Sequence, residues 1–269
     1  MKIATLQMNT QDDKAANIAQ AVSLIETAVE AERPDLVVLP ETFTYMGGTH
    51  ESRMAAAETF PDGEAYRAMQ EQARKHGIFV HAGSMNERAD GNKSFNTTVV
   101  FDRSGTEVAR YRKIHLFDVD TPGGLTYLES ETVKRGEDIV TYDCEGVTVG
   151  CTICYDLRFP ELYAKLAAAG AQVIMVPAAF TLQTGKDHWE VLLRARAIET
   201  QTYVVACGQI FTHDNGKRPC YGHSMIVDPW GTKVADCSDQ VGFAAARIDI
   251  GYLEKVRGSM PVAKHHVLV

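Results

Sequence analysis

Val147-Thr148-Val149-Gly150-Cys151-Thr152-Ile153 is a largely apolar run that leads straight into Cys154-Tyr155-Asp156. Pro160 follows in the first turn of a helical pattern that reaches Ala169, and Gly170 stops it. The side-chain period changes here from that of a strand to that of a helix. Proline is tolerated where the helix has no N–H to lose. A residue on such a sharp turn stands at the top of a sheet, beside the N–H groups of the turn and of the helix start. Those groups favour an anion, so a cysteine there can serve as a nucleophile. The competing reading is a small buried hydrophobe, the usual role of a free cysteine.

Working outward, Val140 to Cys154 reads as a hairpin turning at Glu145-Gly146. Val173 to Val176 is a buried strand stopped by Pro177, followed by a helix from about Asp187 to Thr200 and a strand over Tyr203 to Cys207. The first half runs similarly. Lys2 to Met8 is a strand, and Ile18, Val22, Ile25 and Val29 mark a helix from about Asp13 to Glu32. Leu36 to Leu39 is a short buried run ending at Pro40. A helix over Glu64 to His76 and a strand over Ile78 to Ser84 come next. Ser94 to Phe101 and Glu107 to Lys113 form a hairpin across Asp102-Arg103-Ser104-Gly105. A third hairpin pairs His223–Val227 with Thr232–Ala235, before a strand over Phe243 to Ile248 and a short helix near Tyr252 to Arg257. Ile114 to Asp138, with Pro122-Gly123-Gly124 inside it, is a long irregular stretch, and such loops usually carry function. Two strand–helix–strand blocks with hairpins inserted imply a layered α/β sandwich, in one domain spanning residues 1–269.

The 269 residues are 45% hydrophobic and 23% charged, ordinary for a globular chain that needs no staples. A net charge of -8 argues against nucleic acid or an anionic membrane as partner. The opening residues are too short an apolar stretch for a signal peptide, and no apolar run has transmembrane length. A cytoplasmic location is therefore expected, and the six cysteines are expected as buried or reactive thiols rather than disulfides.

Cys154 needs either a base to take its proton or a cation to stabilise its thiolate. Glu41, just past a buried strand, can be the base or a solvated loop carboxylate. Lys113, at the end of a hairpin strand, can be the cation or part of a basic edge with Arg110 and Arg112. Cys151 and Cys154 have C-x-x-C spacing, the mark of a redox pair. Here Cys151 lies inside a strand instead of opening a helix, which speaks against that reading. Zinc is disfavoured because no second ligand pair completes the set. Asp156 and Arg158 are expected to form an ion pair that supports the turn. Phe180, Thr181 and His188 follow a strand end, where they can line a pocket.

Three segments resemble, in order, the signatures of the nitrilase, or carbon–nitrogen hydrolase, superfamily. They are Leu39-Pro40-Glu41-Thr42-Phe43, Tyr111-Arg112-Lys113-Ile114-His115-Leu116-Phe117-Asp118, and Ile153-Cys154-Tyr155-Asp156-Leu157-Arg158-Phe159-Pro160-Glu161. Gly185 to Thr200 and Tyr221 to Gly231 are similar to the Nit branch, which holds deaminated-glutathione amidases and ω-amidases. The resemblance implies a four-layer αββα sandwich, no metal or organic cofactor, and a homodimer or higher homo-oligomer. It implies Cys154 as nucleophile, Glu41 as general base, Lys113 as oxyanion partner and Glu129 as a fourth catalytic group. Tyr155, with its backbone N–H, joins Phe180, Thr181 and His188 as substrate-binding expectations. The implied reaction hydrolyses a small aliphatic amide to a carboxylate and ammonia through a thioester. Deaminated glutathione is the expected substrate, with α-ketoglutaramate or an N-carbamoyl amine as alternatives. A non-catalytic or redox protein is the alternative of a different class.

Overall fold

Alternate residues of the central strands in the first half enter two different cores. The computed structural model describes residues 1–120, 124 and 126–267. Pro122 and Gly123, singled out in the sequence, lie outside the described residues. The chain forms β1 (Lys2–Gln7), α1 (Lys14–Glu32), β2 (Leu36–Val38), α2 (His50–Ala56), α3 (Glu64–His76), β3 (Phe79–His81), β4 (Met85–Arg88), β5 (Ser94–Phe101) and β6 (Glu107–Arg112). Three short strands follow, β7 (Asp118–Asp120), β8 (Thr126–Leu128) and β9 (Val133–Lys134). The second half gives β10 (Thr141–Cys144), β11 (Val147–Cys151), α4 (Pro160–Ala168), β12 (Val173–Ala178), α5 (Leu182–Thr200) and β13 (Tyr203–Gly208). It continues through β14 (Ile210–His213), β15 (Arg218–Tyr221), β16 (Met225–Val227), β17 (Lys233–Asp236), β18 (Gly242–Arg247) and α6 (Ile250–Ser259).

One sheet has the order β18-β1-β2-β3-β5-β4, with β6 and β9 also paired to β5. The other has the order β10-β11-β12-β13-β16-β17. Both have a parallel centre, β1-β2-β3 in one and β11-β12-β13 in the other, flanked by antiparallel strands. Ile3, Leu36, Val38 and Val100 face inward, onto the core shared with the second sheet. Their neighbours Ala4, Val37, Leu39 and Val99 face outward, against Ile18 and Ile25 of α1 and Met69 of α3. On the far side, Leu162 and Leu166 of α4 and Leu193 and Ala197 of α5 cover the second sheet. The layers are therefore helix, sheet, sheet, helix, the αββα sandwich that the resemblance implied. Each large apolar side chain buried this way contributes roughly 1.5–3 kcal/mol.

Several elements differ from the sequence reading. The strand expected over Ile78 to Ser84 is confined to Phe79–His81 and stops before Gly83, whose φ is +39° and whose Cβ, if present, would lie 2.1 Å from the Pro40 carbonyl oxygen. Only glycine lets the chain pass that close to the Pro40-Glu41 turn. The stretch from Ile114 to Asp138 is not structureless: β7 pairs with β8, and β9 joins β5. Helix α5 begins at Leu182 rather than near Asp187, and α2 and the β14–β15 hairpin were not foreseen.

Candidate active site

Glu41 lies beyond the end of β2, in a turn tied down on several sides. The Thr42 N–H donates to Ser84 Oγ at 2.9 Å, the Ser84 N–H to the Pro40 carbonyl at 3.2 Å, and Gln209 Nε2 to the Glu41 carbonyl at 2.9 Å. Thr42 takes a φ of +49°, which turns the chain back under the sheet end. The Glu41 side chain is buried, and both oxygens are occupied. Oε2 accepts from the Ala179 N–H at 2.8 Å, and Oε1 accepts from Lys113 Nζ and Asn96 Nδ2, each at 2.9 Å.

Lys113, only 2% exposed, joins two carboxylates. Its ammonium lies 2.9 Å from Glu41 Oε1, 2.9 Å from Glu129 Oε2 and 3.1 Å from Glu129 Oε1. Glu129 is held in turn by the Phe117 N–H, which donates to its Oε2 at 2.7 Å. Asn96 on β5 also bridges the two acids, since Nδ2 donates to Glu129 Oε1 at 3.3 Å. Burial alone would push the Lys113 pKa down, but the charges of Glu129 and Glu41 outweigh it and hold the pKa well above the usual lysine range. Lys113 is therefore a fixed cation.

Cys154 adopts a φ of +49° at the turn from β11 into a short 3₁₀ segment, Cys154–Arg158. Positive φ is uncommon for a non-glycine residue, and here it makes the strand end sharply. Asp156, fully buried, secures the turn. Its Oδ2 accepts from the Ile153 N–H at 2.8 Å and the Tyr111 hydroxyl at 2.6 Å, and its Oδ1 from the His115 N–H at 3.1 Å and His115 Nδ1 at 2.7 Å. The elbow is thus tied to the strand and loop that carry Lys113. The expected Asp156–Arg158 ion pair is not formed. Asp156 points into the core, where Tyr111 and His115 satisfy it. The Arg158 guanidinium lies 5.4 Å from the Phe180 ring centroid and 5.9 Å from that of Tyr155.

The Cys154 thiol has its pKa well above the ordinary thiol value. Burial is the main cause and Glu41 adds to it, outweighing the pull of Lys113 toward thiolate. The resting group is therefore a thiol, and it lines the same cavity as the Glu41 carboxylate. Of the two activation routes open from sequence, this environment fits proton transfer to a base. Cys151, three residues earlier, sits within β11 with no exposure, and burial pushes its thiol up as well.

These groups open onto a cavity of about 530 Å³, within the usual range for small-molecule sites. Glu41, Lys113, Glu129, Cys154, Tyr155, Phe180 and Thr181 all line it. His188 does not. It is exposed on α5 and meets Arg158 Nη1 through Nδ1 at 3.3 Å, so it stands behind the wall. Asn96, Arg53 and Arg218 also line the cavity and were not singled out from sequence. Asn96 occupies an ordinary strand position, and nothing in the local pattern separates it from Thr97 or Thr98.

Residues 2–258 match the carbon-nitrogen hydrolase family, and the chain belongs to it. The class so defined is a hydrolase of carbon–nitrogen bonds, and the relatives narrow the branch. A deaminated glutathione amidase from Synechocystis is 42% identical over 270 residues, 99% of this chain and 98% of that protein. The human deaminated glutathione amidase is 39% identical over 268 residues, 98% of this chain and 81% of that protein. The NitFhit fusion protein of Caenorhabditis elegans is 42% identical over 98% of this chain, which spans 60% of the fusion's length. The NitFhit crystal structure superposes with a TM-score of 0.92 at 40% identity, covering 99% of this chain and 65% of that one. Saccharomyces cerevisiae Nit3, a member of branch 10 of the nitrilase superfamily, superposes with a TM-score of 0.90 at 31% identity, covering 100% of this chain and 97% of that one.

Proposed function

We propose that the chain is a cysteine-dependent amidase, with deaminated glutathione as substrate and Cys154, Glu41, Lys113 and Glu129 as its working groups. One observation carries this reading: the buried Glu41 carboxylate, held by the Lys113 ammonium and the Ala179 N–H, lines the same cavity as the Cys154 thiol. Cys154 sulfur attacks the amide carbon while its proton passes to Glu41. Lys113 and the Tyr155 backbone N–H stabilise the oxyanion. The C–N bond breaks as Glu41 returns the proton to the departing nitrogen, leaving a thioester on Cys154. Water then gives a proton to Glu41 and attacks the thioester. The acid departs, and Glu41 reprotonates the sulfur. Glu129 orients Lys113 through its pair of contacts.

The substrate reading is supported by relatives of that name at about 40% identity over nearly the whole chain. It changes the expected product. Glutathione holds two secondary amides and no primary carboxamide, so hydrolysis of its deaminated form releases an amine, not ammonia. Ammonia release belongs to the alternatives, alone from α-ketoglutaramate and together with an amine and carbon dioxide from an N-carbamoyl amine. Phe180 and Thr181 are the wall of the substrate site in this reading, and His188 supports Arg158 from outside. Exposed Val191 and Ile198 on α5, beside exposed Trp230, support a homodimer through that face. The cysteines are all free thiols, which fits a reducing compartment such as the cytoplasm. No helix among the described residues is long and apolar enough to cross a membrane.

The test offers deaminated glutathione, α-ketoglutaramate and an N-carbamoyl amine, measures amine and ammonia separately, and looks for an acyl adduct on Cys154 by mass spectrometry. Amine release with an adduct is expected. Full turnover in folded Cys154→Ala and Glu41→Ala variants would sink the mechanism. Ammonia from α-ketoglutaramate alone would replace the substrate.

A further inference from the structure

The charge lining the cavity is unevenly spread. Its acids are Glu41, Glu129 and Glu131. Lys113 holds the first two at 2.9 Å, and Glu131 is open to solvent. Two arginines enter from segments that carry none of the catalytic groups, Arg53 from α2 and Arg218 from β15. Among the described residues Asp214 pairs with Arg218 alone, and Arg53 reaches it only through the Gly48 backbone. Arg53 Nη1 donates to the Gly48 carbonyl at 3.0 Å, the Gly48 N–H donates to Asp214 Oδ1 at 3.2 Å, and Arg218 Nε lies 3.7 Å from Asp214 Oδ2. The Arg218 guanidinium carbon lies 5.5 Å from the ring centroid of Tyr127, another cavity residue. Arg53 has no carboxylate in ion-pair range among the described residues, so its charge is left uncompensated on the cavity wall. Burial and the nearby Arg218 both hold Arg53 below its usual value, against the opposite pull of Asp214 and Tyr45. An anion placed there would relieve that repulsion. A guanidinium fork binds a carboxylate through two parallel N–H bonds.

We infer that Arg53 and Arg218 form an anion subsite that holds a carboxylate carried by the substrate away from its scissile amide. The inference rests on the amidase reading and narrows it. The substrate class becomes amides whose far end is an acid, such as a peptide ending in a free carboxylate. The cavity, at about 530 Å³, has room for such a tail. A short carboxamide leaves this subsite unused and forgoes its binding energy. Both arginines are specificity residues in this scheme, without contact to the reacting atoms.

Binding and turnover can be tested separately. In Cys154→Ala protein, which cannot turn over, calorimetry measures Kd for pentanoyl-S-methylcysteinylglycine, whose only carboxylate is the terminal one, and for the same peptide with that carboxylate capped as the amide. The free acid is expected to bind about tenfold more tightly. Arg218→Met and Arg53→Met, each made in the same background and checked for folding by circular dichroism, are expected to bring the ratio close to one. Arg67→Ala, which removes an exposed arginine paired with Asp62, is expected to keep it. A ratio of one in the parent, or a ratio that survives both arginine substitutions, overturns the subsite. If the ratio behaves as expected and no amide is turned over by the intact enzyme, the proposed reaction fails and the subsite stands.

Discussion

Two charge clusters flank the end of β6 and differ in balance and in exposure. The outer one sets Arg110 and Arg112 against Glu87 and Glu107. Glu87 accepts from Arg112 Nε at 2.8 Å and Nη2 at 2.7 Å, and Glu107 accepts from Arg110 Nε and Nη2, each at 2.9 Å. Two cations meet two anions, and the arginine side chains are 33% and 40% exposed. The inner one, starting one residue further on, sets Lys113 alone against Glu41 and Glu129, at 2% exposure. It is one cation short of neutral, and a neutral thiol lies beside it. A buried excess of negative charge is costly in a purely structural cluster. Next to a thiol it has a use, because the spare carboxylate can take a proton. In the proposed mechanism, balance marks the structural cluster and imbalance the chemical one.

Glu41→Gln breaks the inner cluster with the largest expected effect. Turnover should fall about 10²–10⁴-fold, the range for a lost general base. The same change removes a charge that disfavours the thiolate, so the Cys154 pKa should come down. Iodoacetamide alkylation of Cys154 followed against pH should therefore reach its midpoint at lower pH while hydrolysis is lost. An unmoved midpoint would mean that the thiol does not feel Glu41. Lys113→Met has the opposite sign on the thiol, because the cation that favours thiolate is gone, and the alkylation midpoint should rise. It also leaves two carboxylates facing each other with only Asn96 between them. Urea unfolding should record a loss of about 3–5 kcal/mol, as for a broken buried pair. Asn96→Ala keeps the cation and removes one neutral donor, so turnover should fall only about tenfold, a loss of the order expected for a hydrogen bond to a charged group.

Much of this contrast was legible before any coordinates, and the part that was not has a physical cause. Helix α1, the parallel strands and the β10–β11 hairpin follow from periodicity and from turn residues such as Glu145-Gly146. Helix α2 escaped notice because it buries only Met54, so it has no apolar stripe to read. The β14–β15 hairpin escaped because Phe211 and Thr212 face solvent, which breaks the alternation. Cys154 could be suspected from its turn alone. Lys113 could not be separated from Arg110 and Arg112, since three basic residues on one strand look alike until their partners are known. Those partners, Glu41 and Glu129, are distant in sequence, and it was the ordered resemblance that joined them. Asn96, Arg53 and Arg218 belong to no quoted motif, so only their common cavity brings them out.

Arg112→Met probes the other half of the contrast and should do least. Arg112 is 40% exposed, so solvent screens much of its pairing. Glu87 keeps Thr97 Oγ1 at 2.8 Å and Arg110 Nη1 at 3.5 Å after the change. The stability cost should be about 1 kcal/mol or less, with turnover unchanged. Its pH dependence has a definite sign. Burial alone would raise the Glu87 pKa, but the hydrogen bonds from Arg112 and Thr97 and the nearby guanidinium charges hold it below the usual carboxylate value. A depressed carboxylate contributes stability above its unfolded pKa and loses it as the pH falls through the folded one. The gap between parent and variant in urea unfolding should therefore be full at pH 7 and close as the pH falls below about 4. If Arg112→Met instead cut turnover as Glu41→Gln is expected to, the outer cluster would be part of the chemistry, and charge balance would lose its value as the distinguishing mark.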